Sequence, residues 1–343
     1  MNQSKAIPDE QALLDELSAP DQGVIDTLSA LSGDLLLLGA GGKIGHGLAL
    51  MAQRAIREAG AKSRVIAVSR FSGPDIRKAM EDDGIHTIAC DLADHRAVEA
   101  LPDASDIVYL AGQKFGTSSN TSLTWALNCF VPGITAQRWR DSRIAFYSSG
   151  NVYPFTPPAS RGPTEKEETG PVGEYAQSVL GRERVFEHFS RAQGTRMACI
   201  RLSYACEPRY GVLVDIAERI MRGRPVDLTQ GHVNIIWQGD CNRVTLKSLD
   251  ITQSPPAIIN LSGPQYPVES LATKIAGALG RDLEFTGSPA PTALLMNSDH
   301  CWSLFGPPAV DVDEMISRVA AWLVAGGKTM GKPTHFQERN GKF

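Results

Sequence analysis

The sequence has no run of 18 consecutive apolar residues, no C-x-x-C spacing and no long stretch of Lys and Arg. The first absence excludes a membrane-spanning helix, which needs about 20 apolar residues to cross a bilayer. The second removes the spacings that build zinc sites and redox pairs, so no metal site is expected. Cys90, Cys129, Cys199, Cys206, Cys241 and Cys301 lie far apart and read as reduced core thiols. The third, with 34 basic against 38 acidic side chains, argues against a nucleic-acid surface, which rests on many Lys and Arg contacts to phosphate. A small-molecule partner is expected instead. Residues 1–10 are charged and polar where a signal peptide needs an apolar segment, so the expected setting is soluble and cytoplasmic. What is present, 42% hydrophobic residues and 32 glycines without a period, describes a folded globular chain rather than a disordered or collagen-like one. At roughly 150 residues per domain, the length predicts about two domains with cores that need no disulfide or metal.

Residues 1–33 read as an extension of two short amphipathic helices, 9–17 and 22–31, separated by Ala19-Pro20-Asp21 and closed by Gly33. Packing over the sheet edge and a role in an interface both suit them. From residue 34, apolar runs at 35–38, 64–68, 87–90, 107–110, 144–147, 197–202 and 257–261 are the candidate strands. Helical patterns at 44–58, 74–81, 121–139 and 174–191 lie between them. Continuously apolar strands alternating with helices predict a doubly wound α/β fold, a parallel sheet covered on both faces. Residues 34–202 form its first domain, and 203–325 a small C-terminal lobe from which 257–263 returns to the sheet. Residues 326–343, with four glycines and four Lys or Arg, are expected as a mobile tail.

The most specific local signal is Gly39-Ala40-Gly41-Gly42-Lys43-Ile44-Gly45, which follows the first apolar run and opens a helix. Glycines there permit a tight turn and close backbone approach to a pyrophosphate, whose charge the helix N-terminus favours. An NAD-preferring site usually carries an acid at the end of the second strand to accept from the ribose 2′-hydroxyl. Here that strand ends in Ser69-Arg70, and no carboxylate follows until Asp75. A hydroxyl and a guanidinium suit a 2′-phosphate, so the expected cofactor is NAD(P), with NADP favoured over NAD.

With Asp91-Leu92 after the third strand and Leu110-Ala111-Gly112 after the fourth, the chain resembles an extended short-chain dehydrogenase/reductase of Rossmann architecture. Specifically, it is similar to the NAD-dependent epimerase/dehydratase family, which includes UDP-galactose 4-epimerase. The resemblance covers about 34–324. It implies that Asp91 and Leu92 flank the adenine and that Ala111 and Gly112 pass beneath the cofactor. Ala111-Gly112-Gln113-Lys114 is similar to the family's A-G-x-K segment, making Lys114 a phosphate or ribose contact. Asn128 fits a helical asparagine of the cofactor site that supports the active-site strands. Ser148-Ser149-Gly150-Asn151-Val152-Tyr153 is similar to S-S-x-x-V-Y, so the resemblance makes Ser149 the catalytic serine and Tyr175 the catalytic tyrosine. Redox chemistry at a carbinol needs a base for the hydroxyl proton, and a phenol with an ordinary pKa near 10 must be tuned to serve. The resemblance also implies a homodimer through helices at about 121–139 and 174–191.

The family's Y-x-x-x-K departs here to Tyr175-Ala176-Gln177-Ser178-Val179. The missing lysine would bind the nicotinamide ribose and favour the tyrosinate by its charge. Arg182, two turns after Tyr175, starts about 10 Å down the helix axis. Lys114 comes from an adjacent loop and is the preferred surrogate. Two readings stay open: an enzyme acting on a carbohydrate hydroxyl or carbonyl, and a dinucleotide-binding sensor that has lost efficient turnover with the lysine. Side chains suited to face a carbohydrate are Lys114, Asn151, Tyr153, Tyr204, Arg209, Asn234 and Trp237. Core packing is the alternative for Trp237. The compact second lobe makes a small sugar, a sugar acid or a related polyol at least as suitable a substrate as a nucleotide sugar.

Overall fold

The computed structural model of the chain describes residues 7–114 and 120–341. The first six residues of the N-terminal extension and the last two of the C-terminal segment lie outside that description. Seven strands form one sheet: β1 (Leu35–Leu38), β2 (Val65–Ser69), β3 (His86–Ala89), β4 (Asp106–Tyr109), β5 (Arg143–Ser149), β6 (Met197–Leu202) and β7 (Ala257–Leu261). They lie in the order β3-β2-β1-β4-β5-β6-β7 and pair in parallel throughout. Alternation in β1 explains how the sheet has two dry faces. Leu35 and Leu37 enter one core and Leu36 and Leu38 the other, because successive strand side chains point to opposite sides.

Two helices, α1 (Glu10–Leu17) and α2 (Gln22–Ser29), precede the sheet and are capped by Asp9 and Asp21. They pack on α3 (Gly45–Glu58), the helix that leaves β1, and on the helix over Gln238–Lys247. Asn242 donates to the Leu17 carbonyl at 2.9 Å, and Lys247 pairs with Asp21 at 3.0 Å. Leu13 and Leu17 belong to the lobe's core, while Val24 and Leu28 belong to the sheet's. The extension is thus a strut between sheet and lobe rather than a cover over the sheet edge.

The helical pattern at 121–139 is not one regular helix. α4 (Thr121–Trp125) and α5 (Val131–Arg138) flank a π-helical turn over Ala126–Phe130, which carries Asn128 into the interior. α6 (Gly173–Gln193) follows β5 and packs alongside. In the lobe, helices over Val212–Met221, Val268–Leu279 and Val312–Val324 share one apolar core.

The expectation of a mobile tail is overturned for the described part of 326–343. Met330 N–H donates to the Arg209 carbonyl at 2.9 Å, and Thr334 donates to Asp215 Oδ2 through its amide and its hydroxyl. Phe336, 5% exposed, is buried in the lobe core. One aromatic ring and one buried acceptor outweigh the glycine-rich composition. Among the described residues, no helix is long and apolar enough to cross a membrane, and no group of His, Cys, Asp and Glu could hold a metal ion.

Candidate active site

β1 and β4 are neighbours whose connections run to opposite ends of the sheet, so a crevice opens at their C-terminal ends, where dinucleotides bind in open α/β sheets. The glycine-rich loop lines it. Gly39 has φ of 91°, and a Cβ there would lie 2.5 Å from the Ala111 amide nitrogen, so loop and β4 end are in direct contact. A Cβ on Gly45 would stand 1.9 Å from the Ala40 carbonyl oxygen, which requires glycine where α3 begins. Gly42 is different. A Cβ there meets only the Gly39 carbonyl oxygen, at 3.6 Å, and would project into the crevice. No side chain caps α3, so its first-turn amides are left to face a ligand. A bare backbone at the helix start with room at Gly42 fits the pyrophosphate of a dinucleotide.

Two cavities flank this loop. One, of about 400 Å³, is lined by Gly41, Gly42, Ser69, Arg70, Asp91, Leu92, Leu110, Ala111 and Gly112. It therefore gathers most of the residues expected around the adenosine half of a cofactor. Arg70 is exposed at its rim, and Ser69 sits under Gly41. The other, of about 270 Å³, is lined by Lys43, Ile44, Gly45, Lys114, Ser149, Tyr175 and Tyr204. It also contains Tyr210 and Gln238, which the sequence motifs do not single out as ligand contacts.

Ser149 ends β5 in extended backbone and turns into a short 3₁₀ segment. Its Oγ accepts from the Asn151 amide at 3.2 Å, donates to Asn151 Oδ1 at 2.9 Å and shares a hydrogen bond with the Tyr175 phenol. Tyr175 lies in the first turn of α6. Burial holds its phenol above the usual value, opposed by the positive Arg182 and by the Ser149 hydrogen bond. Burial lowers Lys114 to about 8, and its ammonium stands 5.6 Å from the Tyr204 ring centroid. Lys43 stands 3.2 Å from the Tyr210 ring centroid and falls to about 7, through burial and through the like charges of Lys114 and Lys332.

Val179 is 1% exposed and packs with Val152, Tyr153 and Met296, so the position four residues after Tyr175 is committed to apolar contact. Lys114, the expected surrogate, lines the same cavity as Tyr175, and Arg182 is a cation that bears on the phenol. Its guanidinium is buried and donates to the Tyr147 carbonyl at 2.8 Å and to Asn128 Oδ1 at 2.7 Å. A Cβ on Gly112 would fall 2.1 Å from Arg182 Nη2, so the 110–112 segment rests on this group. Asn128, expected within the cofactor site, lines neither cavity. Its amide clamps the Gln113 backbone through both N–H and C=O, and donates to Ser178 Oγ at 2.9 Å. It positions the loop from behind because the π turn aims it inward.

Several expected carbohydrate contacts also lie elsewhere. Tyr153 is buried, accepting from Arg201 at 2.6 Å and donating to Asn260 Oδ1 at 2.9 Å. Asn234 ties Gly263 to the Met296 amide. Trp237 is core, stacked 4.7 Å under Arg318. Arg209 pairs with Glu207 at 3.1 Å and faces a separate cavity beneath the glycine-rich loop. Asn151 serves Ser149 and does not line the Tyr175 cavity. In each case a buried polar partner or apolar contact claims the side chain.

The sequence profile of the NAD dependent epimerase/dehydratase family matches residues 35–243. Solved structures share the fold at low identity. UDP-galactose 4-epimerase is 19% identical with a TM-score of 0.67, over 85% of this chain and 99% of the other. UDP-glucose 4-epimerase from Thermotoga maritima, solved with UDP-glucose, is 17% identical with a TM-score of 0.70, over 85% and 99%. A dTDP-glucose 4,6-dehydratase from Streptomyces venezuelae, solved with NAD, is 16% identical with a TM-score of 0.72, over 85% and 97%. Among curated proteins no relative matches.

Proposed function

The chain belongs to the NAD dependent epimerase/dehydratase family, and from that premise we propose that it is an NAD(P)-dependent enzyme acting on a carbohydrate hydroxyl or carbonyl. The observation that carries this reading is the Ser149–Tyr175 hydrogen-bonded pair in one cavity with the glycine-rich loop. Tyr175 removes or returns the proton of the reacting oxygen, and Ser149 holds that oxygen by a hydrogen bond. Arg182 stabilises the tyrosinate from below, in the electrostatic role left open by Val179. A bound nicotinamide supplies the hydride acceptor or donor. The substrate is a sugar, a sugar acid or a nucleotide sugar.

Two features of the cofactor site support the finer parts of this reading. The first is Ser69-Arg70 beside the cavity that holds Asp91, without an acid at the strand end, which favours NADP. Arg70→Asp is expected to weaken NADPH about 10- to 100-fold while changing NADH little, since a charge-assisted contact to phosphate contributes about 1.5–3 kcal/mol. Fluorescence titration reads both, and tighter NADH than NADPH in the unaltered protein would sink the preference.

The second is Lys43, whose surroundings include Lys114 and Lys332 on the positive side and Asp215 and Glu207 on the negative. Its folded pKa of about 7 lies below the ordinary 10.5. The unfolded chain therefore binds more protons between those values, and this group's contribution to stability rises with pH from about 7 to 10.5. Binding runs the other way. A dianionic pyrophosphate favours the ammonium form, so dinucleotide affinity should rise several-fold as pH falls from 8.5 to 6.5, around the Lys43 pKa of about 7. Lys43→Met should flatten that profile in a fluorescence titration.

The Val179 packing favours a second reading, a dinucleotide-binding sensor without turnover. Incubating the protein with either oxidised dinucleotide and a panel of sugars and sugar acids separates the two. Turnover that disappears in Tyr175→Phe supports the enzyme. Tight dinucleotide binding with no turnover supports the sensor. We further propose a homodimer through the 121–138 helices and α6, where Leu123, Trp125 and Phe130, the last 60% exposed, form an apolar surface.

A further inference from the structure

We propose that the C-terminal segment 328–341 is a working part of the dinucleotide site, with Lys332 as a ligand of the cofactor pyrophosphate. The inference rests on the dinucleotide reading above and adds a residue well outside the family-matched span 35–243. Lys332 lines the cavity that holds Ser69, Asp91 and Ala111, and also the one on the other side of the glycine-rich loop with His46 and Gly47. Gly41 and Gly42 are the glycine-rich-loop residues that line both with it, so Lys332 shares both cavities with the bare backbone of that turn.

The placement of Lys332 is built rather than incidental. Two residues before it, the Met330 amide is bonded to the Arg209 carbonyl at 2.9 Å. Two residues after it, Thr334 makes two hydrogen bonds to Asp215 Oδ2, at 2.8 and 2.5 Å. Pro333 stiffens the link between them, and Phe336 is buried in the lobe core. The backbone at 332 is therefore held at both sides while its side chain stays exposed at the crevice.

An exposed cation on a tethered segment, brought near Lys43, is electrostatically unfavourable in the free protein. Its effect is visible in the lowered Lys43 pKa. A dianion bound between these groups turns that repulsion into attraction, and helix-start amides with an ammonium form a common phosphate donor set. The pyrophosphate is favoured over a 2′-phosphate because Gly41 and Gly42 accompany Lys332 in both cavities, whereas Ser69 and Arg70 line only one.

The test is titration of the full chain with NADH and NADPH, monitored by fluorescence, for the unaltered protein, Lys332→Ala and Lys332→Arg. The expected result is about ten-fold weaker binding of both dinucleotides in Lys332→Ala and recovery to within about three-fold in Lys332→Arg. Thermal midpoints of the free variants are expected to match the unaltered protein, since the side chain is exposed. Unchanged affinity in Lys332→Ala overturns the inference. Weakening of NADPH alone overturns the pyrophosphate assignment in favour of the 2′-phosphate. Failure of the unaltered protein to bind either dinucleotide overturns the functional reading itself, and this inference with it.

Discussion

Tyr175→Phe is expected to lower turnover of a carbohydrate substrate by about 10²- to 10⁴-fold, the usual contribution of a positioned general acid or base. The change removes one hydroxyl from a ring at the start of α6 and leaves the glycine-rich loop untouched, so dinucleotide affinity should stay within about two-fold. A loss of turnover with retained binding assigns the effect to proton transfer. The phenol is held above its ordinary value by burial, and Arg182 and the Ser149 hydrogen bond oppose that rise. The tyrosine limb of the rate profile of the unaltered enzyme therefore reports a balance, and Arg182→Met should move it to higher pH. Equal turnover in Tyr175→Phe and the unaltered protein would remove Tyr175 from the chemistry.

Glu183→Ala is expected to cost about 3–5 kcal/mol of stability, because it leaves a buried guanidinium without its counter-charge. Arg201 donates to Glu183 through Nε at 3.0 Å and Nη2 at 2.7 Å, and both side chains are buried. Ser148 also donates to Glu183, and Arg201 donates to the Tyr153 hydroxyl at 2.6 Å. The acid therefore ties α6 to β5 and β6 directly beside Ser149. Urea unfolding at pH 7 measures the loss, and a change below about 1 kcal/mol would contradict the account. The paired substitution Glu183→Leu with Arg201→Met should recover part of it, since two apolar groups leave no buried charge unpaired.

The parts of the fold that depend on local patterns are legible in the chain. β1 is a uniform apolar run, β6 and β7 are apolar runs interrupted only by Arg201 and Asn260, and α3 begins at the last glycine of the loop, so their positions follow from periodicity and turn chemistry. Two short helices, His95–Glu99 and Asp299–Phe305, have too few residues to show a helical period. The π turn at Ala126–Phe130 leaves no mark in the apolar pattern of 121–139, yet it decides where Asn128 points. Within the site, the 39–45 loop and the Ser69-Arg70 end of β2 announce themselves as consecutive residues. Tyr153, Asn234 and Trp237 read equally well as ligands or as core, and the partners that claim them are distant in the chain.

By itself the sequence determined the class of the fold, the place of the glycine-rich loop and the valine, rather than lysine, four residues after Tyr175. These are carried by neighbouring residues, where spacing, glycine conformational freedom and apolar alternation act over a few positions. Only the tertiary structure brought Arg182 to bear on Tyr175, buried Tyr153, Asn234 and Trp237 among their partners, and tied the C-terminal segment to Asp215. Arg182 reaches the phenol's field through packing against Gly112 and Asn128, and Lys332 reaches the glycine-rich loop through Asp215 and Phe336. Such juxtapositions depend on how elements remote in sequence pack, and the energies that choose them are sums over a whole core.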